Sequence, residues 1–201
     1  MTTINVGKSN AKIAADEQKL REAGVPATVW YDRESMTNAG LGHLRDELPS
    51  LLEMDETLIY ITGGTEHERT VACAALSKAL VLRGASLRFS FLGSAARTLE
   101  MYHGGAFMDA DGEISRFVRH TQRGYLAIPD LFDPLFGALS RQQAIDMTLF
   151  LRRHLYEQGN YIASGAGPLQ KIADASEMPS GLVDCLIRKA KIVNLQKKAK
   201  A

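Results

Sequence analysis

Cysteine is scarce in this chain of 201 residues. Cys73 and Cys185 stand far apart, with no C-x-x-C pair and no histidine cluster beside them, which argues against a disulfide framework or a zinc site and for a reducing, cytoplasmic setting. No apolar run approaches membrane-spanning length, so neither a transmembrane helix nor a membrane partner is expected. The polar start Met1-Thr2-Thr3-Ile4-Asn5 does not have the apolar core of a signal peptide. An excess of one charge is also missing: 24 Lys and Arg against 23 Asp and Glu leave a net charge of +1. A nucleic-acid surface would therefore have to be local, as in the runs Arg188-Lys189-Ala190-Lys191 and Lys197-Lys198-Ala199-Lys200. Internal repeats and low-complexity linkers are absent.

What is present suffices for one sizeable core, with 45% hydrophobic and 23% charged residues. From Leu58 onward, short apolar runs alternate with stretches of helical period, the pattern of a three-layer α/β domain around a central parallel sheet. The expected strands are Leu58 to Thr62, Ser86 to Leu92, Tyr125 to Ile128, Asn160 to Ser164 and Lys191 to Leu195. The alternation of Leu87, Phe89 and Phe91 with Ser86, Arg88 and Ser90 predicts a half-buried strand near an edge. Helices are expected over Arg69 to Leu82, closed by Gly84, over a stretch carrying Ala95, Leu99 and Met101, and around Ile114, Phe117 and Val118. Another runs from Ser140, its N-cap, to Glu157, with Ile145, Leu149 and Leu155 as its core stripe, and a last one carries Leu182 to Ile187. The scattered methionines Met36, Met101, Met108, Met147 and Met178 read as core filling.

The first strand runs into Gly63-Gly64-Thr65-Glu66-His67-Glu68-Arg69-Thr70. This has the frame of a phosphate-binding loop, G-x-x-x-x-G-K-[ST], in which backbone amides at a helix start face phosphate and a lysine reaches it. Gly63 and Thr70 match, whereas Glu68 stands for the second glycine and Arg69 for the lysine. A carboxylate about 4 Å from phosphate costs about 4 kcal/mol at an effective dielectric of 20, or about three decades of affinity. Arg69 keeps the positive charge without the compact ammonium geometry. The same residues also read as an ordinary strand-to-helix turn. His67, between two glutamates, reads as an exposed histidine rather than a base.

Together, Ala23-Gly24-Val25-Pro26 before Trp30 to Met36, the loop, Ala79 to Leu87, Gly181 to Leu186 and Lys191 to Leu195 resemble the bacterial AAA+ helicase loaders and transposition helpers (DnaC and IstB type). The resemblance implies a P-loop NTPase domain of AAA+ type over residues 23–195, after an N-terminal extension of 1–22 and before a basic tail of 196–201. It also implies positions for catalysis that are altered here. The second nucleotide motif ends in Ile128-Pro129-Asp130 instead of Asp-Glu, so one acidic function is missing in either register. Gly165 stands where a polar sensor belongs, leaving only the Ser164 hydroxyl. Cys185 stands where an arginine reaches a neighbouring subunit's phosphate, and it otherwise reads as a small buried residue on a core helix.

These losses predict a pseudo-ATPase: a non-catalytic assembly or regulatory factor in DNA replication or transposition that docks to an AAA+ or replication partner, or to its own copies. No cofactor is expected. The alternative is an active loader or helper that binds DNA, ATP and magnesium; a nucleotide kinase is disfavoured, because no lid arginine cluster appears. The vestigial nucleotide set is Gly63, Gly64, Glu68, Arg69, Thr70, Asp130 and Ser164, with no catalytic residue and no metal site. Interface or nucleic-acid candidates are Glu66, Cys185, Arg188 and Lys189, together with Arg116, Arg119 and Arg123, which share a helical face with His120 and also read as a solvated basic surface.

Overall fold

The computed structural model describes residues 6–55, 57–103, 124–132 and 137–195. Strands β1 (Leu58–Thr62), β2 (Leu87–Phe89), β3 (Tyr125–Ala127), β4 (Asn160–Gly165) and β5 (Ala190–Asn194) form one sheet in the order β2-β3-β4-β1-β5. Every neighbouring pair is parallel, as the strand-helix alternation predicts. Leu58 lies opposite both Tyr161 and Ala190, so β1, β4 and β5 begin together at one end of the sheet.

Successive side chains of a strand point to opposite faces, and here both faces are apolar. Ile59 and Ile61 of β1 enter one core with Tyr125 and Ala127 of β3, while Leu58 and Tyr60 enter the other with Leu126 and Ile128. The first core is covered by α4 (Glu66–Val81). The second is covered by α5 (Leu92–His103), α6 (Arg141–Tyr156), α7 (Leu169–Asp174) and α8 (Ser180–Ile187). Three layers result.

Helix α4 is buried without a break from Ala72 to Val81 rather than along a single stripe. Its outer side is packed by the N-terminal part of the chain, which contains α1 (Val6–Glu22), α2 (Ser35–Asn38) and α3 (Leu48–Leu52) and adds Leu20, Val29, Met36, Leu48 and Leu51 to the same core. This part also covers the edge strand β2: the Phe89 amide donates to the Ala23 carbonyl at 2.7 Å and Arg88 Nη1 to the Glu22 carbonyl at 2.9 Å. Covering an edge in this way removes a template for unwanted pairing. Gly24, at φ +73°, sits so close that a Cβ would lie 2.6 Å from the Phe89 carbonyl oxygen, which is the physical reason for glycine there.

Several expectations are corrected. The strand expected from Ser86 to Leu92 is only Leu87–Phe89, because Leu92 starts α5, and Phe91 is exposed instead of buried. Met101 is also exposed on α5, whereas Met36, Met147 and Met178 fill the core. On α6, Ser140 is the N-cap, closed by a reciprocal bond with Gln143. The buried stripe, however, is Met147, Leu151 and His154, while Ile145 and Leu149 are 43% and 56% exposed. The helix carries two stripes, and the one bearing buried Asp146 and His154 faces the sheet, where the His154 ring meets Tyr161 edge-on at 4.8 Å. The expected helix at Ile114, Phe117 and Val118 lies outside the described residues, as do Met108, Arg116, Arg119, His120, Arg123 and the run Lys197 to Lys200.

Candidate functional site at the carboxyl ends of the strands

Helix α4 begins at Glu66, not near Arg69, and this one-turn difference decides the character of the loop. Thr65 is the N-cap. Its hydroxyl accepts from the Glu68 amide at 3.2 Å, while the Glu68 carboxylate accepts from the Thr65 amide at 2.7 Å and from the Thr65 hydroxyl at 3.0 Å. This is a capping box, and Thr65-Glu66-His67-Glu68 carries its T-x-x-E signature in the sequence. Residues that would form a wide phosphate cradle are instead the first turn of the helix. Gly63 and Gly64 make the sharp entry at φ +89° and +62°, and a Cβ on Gly64 would lie 2.8 Å from the Glu68 carboxylate. The positive end of the helix therefore faces an anion supplied by the chain itself. His67 is exposed as expected, in this first turn rather than in a loop.

Arg69 does not extend toward solvent. It is 9% exposed, and Nη1 donates to the Gly64 carbonyl at 2.8 Å, bracing the turn from within. Burial raises the pKa of the neighbouring Tyr60 phenol, and the Arg69 charge opposes that rise.

A cleft of about 260 Å³ opens between the ends of β1, β3 and β4, where ligands bind in open α/β sheets. Arg69, Thr70, Asp130 and Ser164 of the vestigial set all line it, beside Glu66. Its members are largely occupied with the fold. Asp130 Oδ1 accepts from the Leu92 amide at 3.0 Å, capping the start of α5 from the neighbouring strand end. Ser164 donates its hydroxyl to the Pro129 carbonyl at 3.1 Å, and its amide reaches the same oxygen at 2.9 Å. Gly165 makes room for Tyr60: a Cβ there would lie 2.0 Å from the phenol oxygen, which donates to the Gly167 carbonyl at 3.0 Å. Tyr60 thus fills the space a polar sensor would need, a coupling that sequence spacing does not disclose. Behind the cleft, burial pushes the Cys73 thiol up to about 12.

Of the interface candidates, Glu66 lines this cleft, and the other described ones separate from it. Cys185 is exposed, correcting the reading of a buried core residue. With Arg188 and Lys189 it lines a second cleft, of about 450 Å³, against Arg152, Leu155 and Tyr156 at the end of α6. That cleft lies near the starts of β4 and β5, at the opposite end of the sheet, and shares no lining residue with the first.

Around the first cleft, the Glu68 carboxylate accepts from the Thr65 amide and hydroxyl, Arg69 donates to the Gly64 carbonyl, and Asp130 accepts from the Leu92 amide. Among the described residues, no three His, Cys, Asp or Glu side chains come together to hold a metal ion. No helix among them is long and apolar enough to cross a membrane.

Sheet order, loop position and the cleft beyond the strand ends define the P-loop NTPase fold. Solved replication initiators share it. DnaA from Aquifex aeolicus bound to AMPPCP aligns at 18% identity and TM-score 0.55, over 81% of this chain and 47% of that one. A DNA replication initiation factor aligns at 16% identity and TM-score 0.53, over 81% and 46%. The replication initiator DnaA bound to AMPPCP and single-stranded DNA aligns at 17% and 0.53, over 76% and 45%. The chain thus spans about half the length of each, and at these identities the likeness is one of fold. No protein-family model and no curated protein matches the chain.

Proposed function

We propose that this chain is a non-catalytic AAA+-like factor in DNA replication that acts by docking to a partner rather than by turning over ATP. The observation that carries the reading is the capping box: the helix end that would receive phosphate is closed by the Glu68 carboxylate. Of the two settings the loader and helper resemblance allows, replication is favoured over transposition because solved replication proteins share the fold. The docking surface includes Glu66, which is exposed beside the cleft, while Glu68 is held by its own chain and not offered to a neighbour's arginine. Cys185, Arg188 and Lys189 form a separate contact region at the far end of the sheet.

Nucleotide titration with and without Mg²⁺, followed by a phosphate-release assay, tests the reading. Weak or absent ATP binding and background hydrolysis are expected. The double change Glu68→Gly with Arg69→Lys should improve binding more than turnover, because Asp130 and Gly165 remain as they are. Turnover by the unaltered chain that Arg69→Ala abolishes would overturn the proposal. One observation favours the alternative of an active ATP-dependent loader: Arg69, Thr70, Asp130 and Ser164 do line one cleft. That reading requires Asp130→Ala to remove magnesium-dependent ATP binding.

A further inference from the structure

The most unusual charge in the described structure is Lys78. It belongs to α4, twelve residues past the helix start and so about 18 Å along the axis from the capping box, and it is only 8% exposed. Its ammonium donates to the Val29 and Asp32 carbonyls, each at 2.7 Å. An ammonium has three protons to donate, and the third finds no acceptor among the described residues. Burial lowers the pKa of Lys78, with Asp32 opposing. The bonds to this buried cation come from neutral carbonyls, and the Asp32 charge offsets only part of the cost of burying it.

The surroundings are built to accept an anion. Lys78 lines a cleft of about 370 Å³ with Arg33, Arg45, Arg83 and the single carboxylate Glu34. Arg45 pairs with Glu34, which neutralises that carboxylate. Asp32 does not line the cleft, and its carboxylate is engaged by the Glu34 amide at 2.9 Å and the Asn38 side chain. Among the described residues, the Arg83 side chain, just past the end of α4, donates to the Ala79 carbonyl alone, and Arg33 has no partner. Three cations from two segments, Arg33 before α2 and Lys78 and Arg83 at the end of α4, thus converge with no unengaged carboxylate between them.

We propose that this cleft binds a phosphate group, carried by a nucleic-acid backbone or by a small phosphorylated molecule, at a site distinct from the phosphate-loop remnant. Guanidinium forks suit phosphate oxygens, and the partly buried ammonium supplies a charge screened little by salt. The inference does not rest on the docking role, since it concerns residues on the other end of α4.

The test uses the full chain with two probes at about 50 mM salt: pyrophosphate by isothermal titration, and a fluorescein-labelled single-stranded oligonucleotide by anisotropy. Arg33→Glu combined with Arg83→Glu should weaken binding at least about tenfold, whereas Arg97→Glu, on the exposed side of α5, should not. If both probes lose affinity, the site serves nucleic acid. If only pyrophosphate binds and loses affinity, the ligand is a small phosphate compound. Arg33→Gln removes one charge and no described bond, so it keeps the test informative if the double variant fails to fold. Unchanged affinity in these variants, an equal loss in Arg97→Glu, or no binding of either probe up to about 1 mM would overturn the site. None of those outcomes bears on ATP turnover at the other cleft.

Discussion

Replacing Glu68 with alanine isolates the interaction that closes the phosphate end of α4. The carboxylate accepts from the Thr65 amide at 2.7 Å and the Thr65 hydroxyl at 3.0 Å, while the hydroxyl independently caps the Glu68 amide at 3.2 Å. Glu68→Ala therefore removes half of the capping box and leaves the other half. Losing a cap interaction costs about 1 kcal/mol, and losing an anion in the first turn about 0.5 kcal/mol more. The better helix propensity of alanine returns a few tenths. The net of about 1 kcal/mol should lower Tm by about 2–4 °C in a chain of this length, read by circular dichroism melts and urea titration. Glu68→Gln keeps an oxygen for the Thr65 amide and loses only the charge, so it should cost about 0.5 kcal/mol. Thr65→Ala should cost about 1 kcal/mol, through the other half of the box. A second readout follows from the same geometry: with the carboxylate gone, pyrophosphate has a free helix end to bind. Once the contribution of the Arg33 and Arg83 cleft is removed by substitution, it should raise the Tm of Glu68→Ala and leave that of the Glu68 protein unchanged. Glu68→Ala melting at or above the unaltered chain would refute the reasoning, because the carboxylate would then not be a cap.

Other expectations follow from the same structure. Gly165→Ala sets a methyl 2.0 Å from the Tyr60 hydroxyl and should cost about 1–3 kcal/mol; a double-mutant cycle with Tyr60→Phe should show less than additive loss, since the hydroxyl is what collides. Thiol titration at pH 8 should find Cys185 reactive in the folded chain and Cys73 reactive only after unfolding, because burial holds the Cys73 pKa near 12; two fast thiols would contradict the packing of α4. On α6, Leu149→Ser should stay within about 0.5 kcal/mol of the unaltered chain, while Leu151→Ala should cost about 2–5 kcal/mol, and denaturant melts giving the reverse order would show that the helix is rotated.

Features that depend on a few neighbouring residues were legible in the sequence. The five strands follow from short apolar runs, and their parallel arrangement follows from the helices between them. Ser140 announces its helix by an S-x-x-Q pattern, and Thr65 by T-x-x-E, because a cap is a bond across three residues. That second signature already contained the reason Glu68 stands where a phosphate-binding loop has glycine. Burial and partnership across the chain were not legible, since each depends on which element comes to cover another. The two apolar stripes of α6 look alike locally, and the sheet selected the one with Met147 and Leu151. Asp130 reads as half of a magnesium site until the fold brings the Leu92 amide, 38 positions away, against it. Gly165 reads as a missing sensor until Tyr60 of the adjacent strand is seen to occupy the space. Nothing in the residues around Lys78 marks it as buried; the N-terminal part of the chain, whose Val29 and Asp32 carbonyls lie more than forty residues away in sequence, makes it a buried charge.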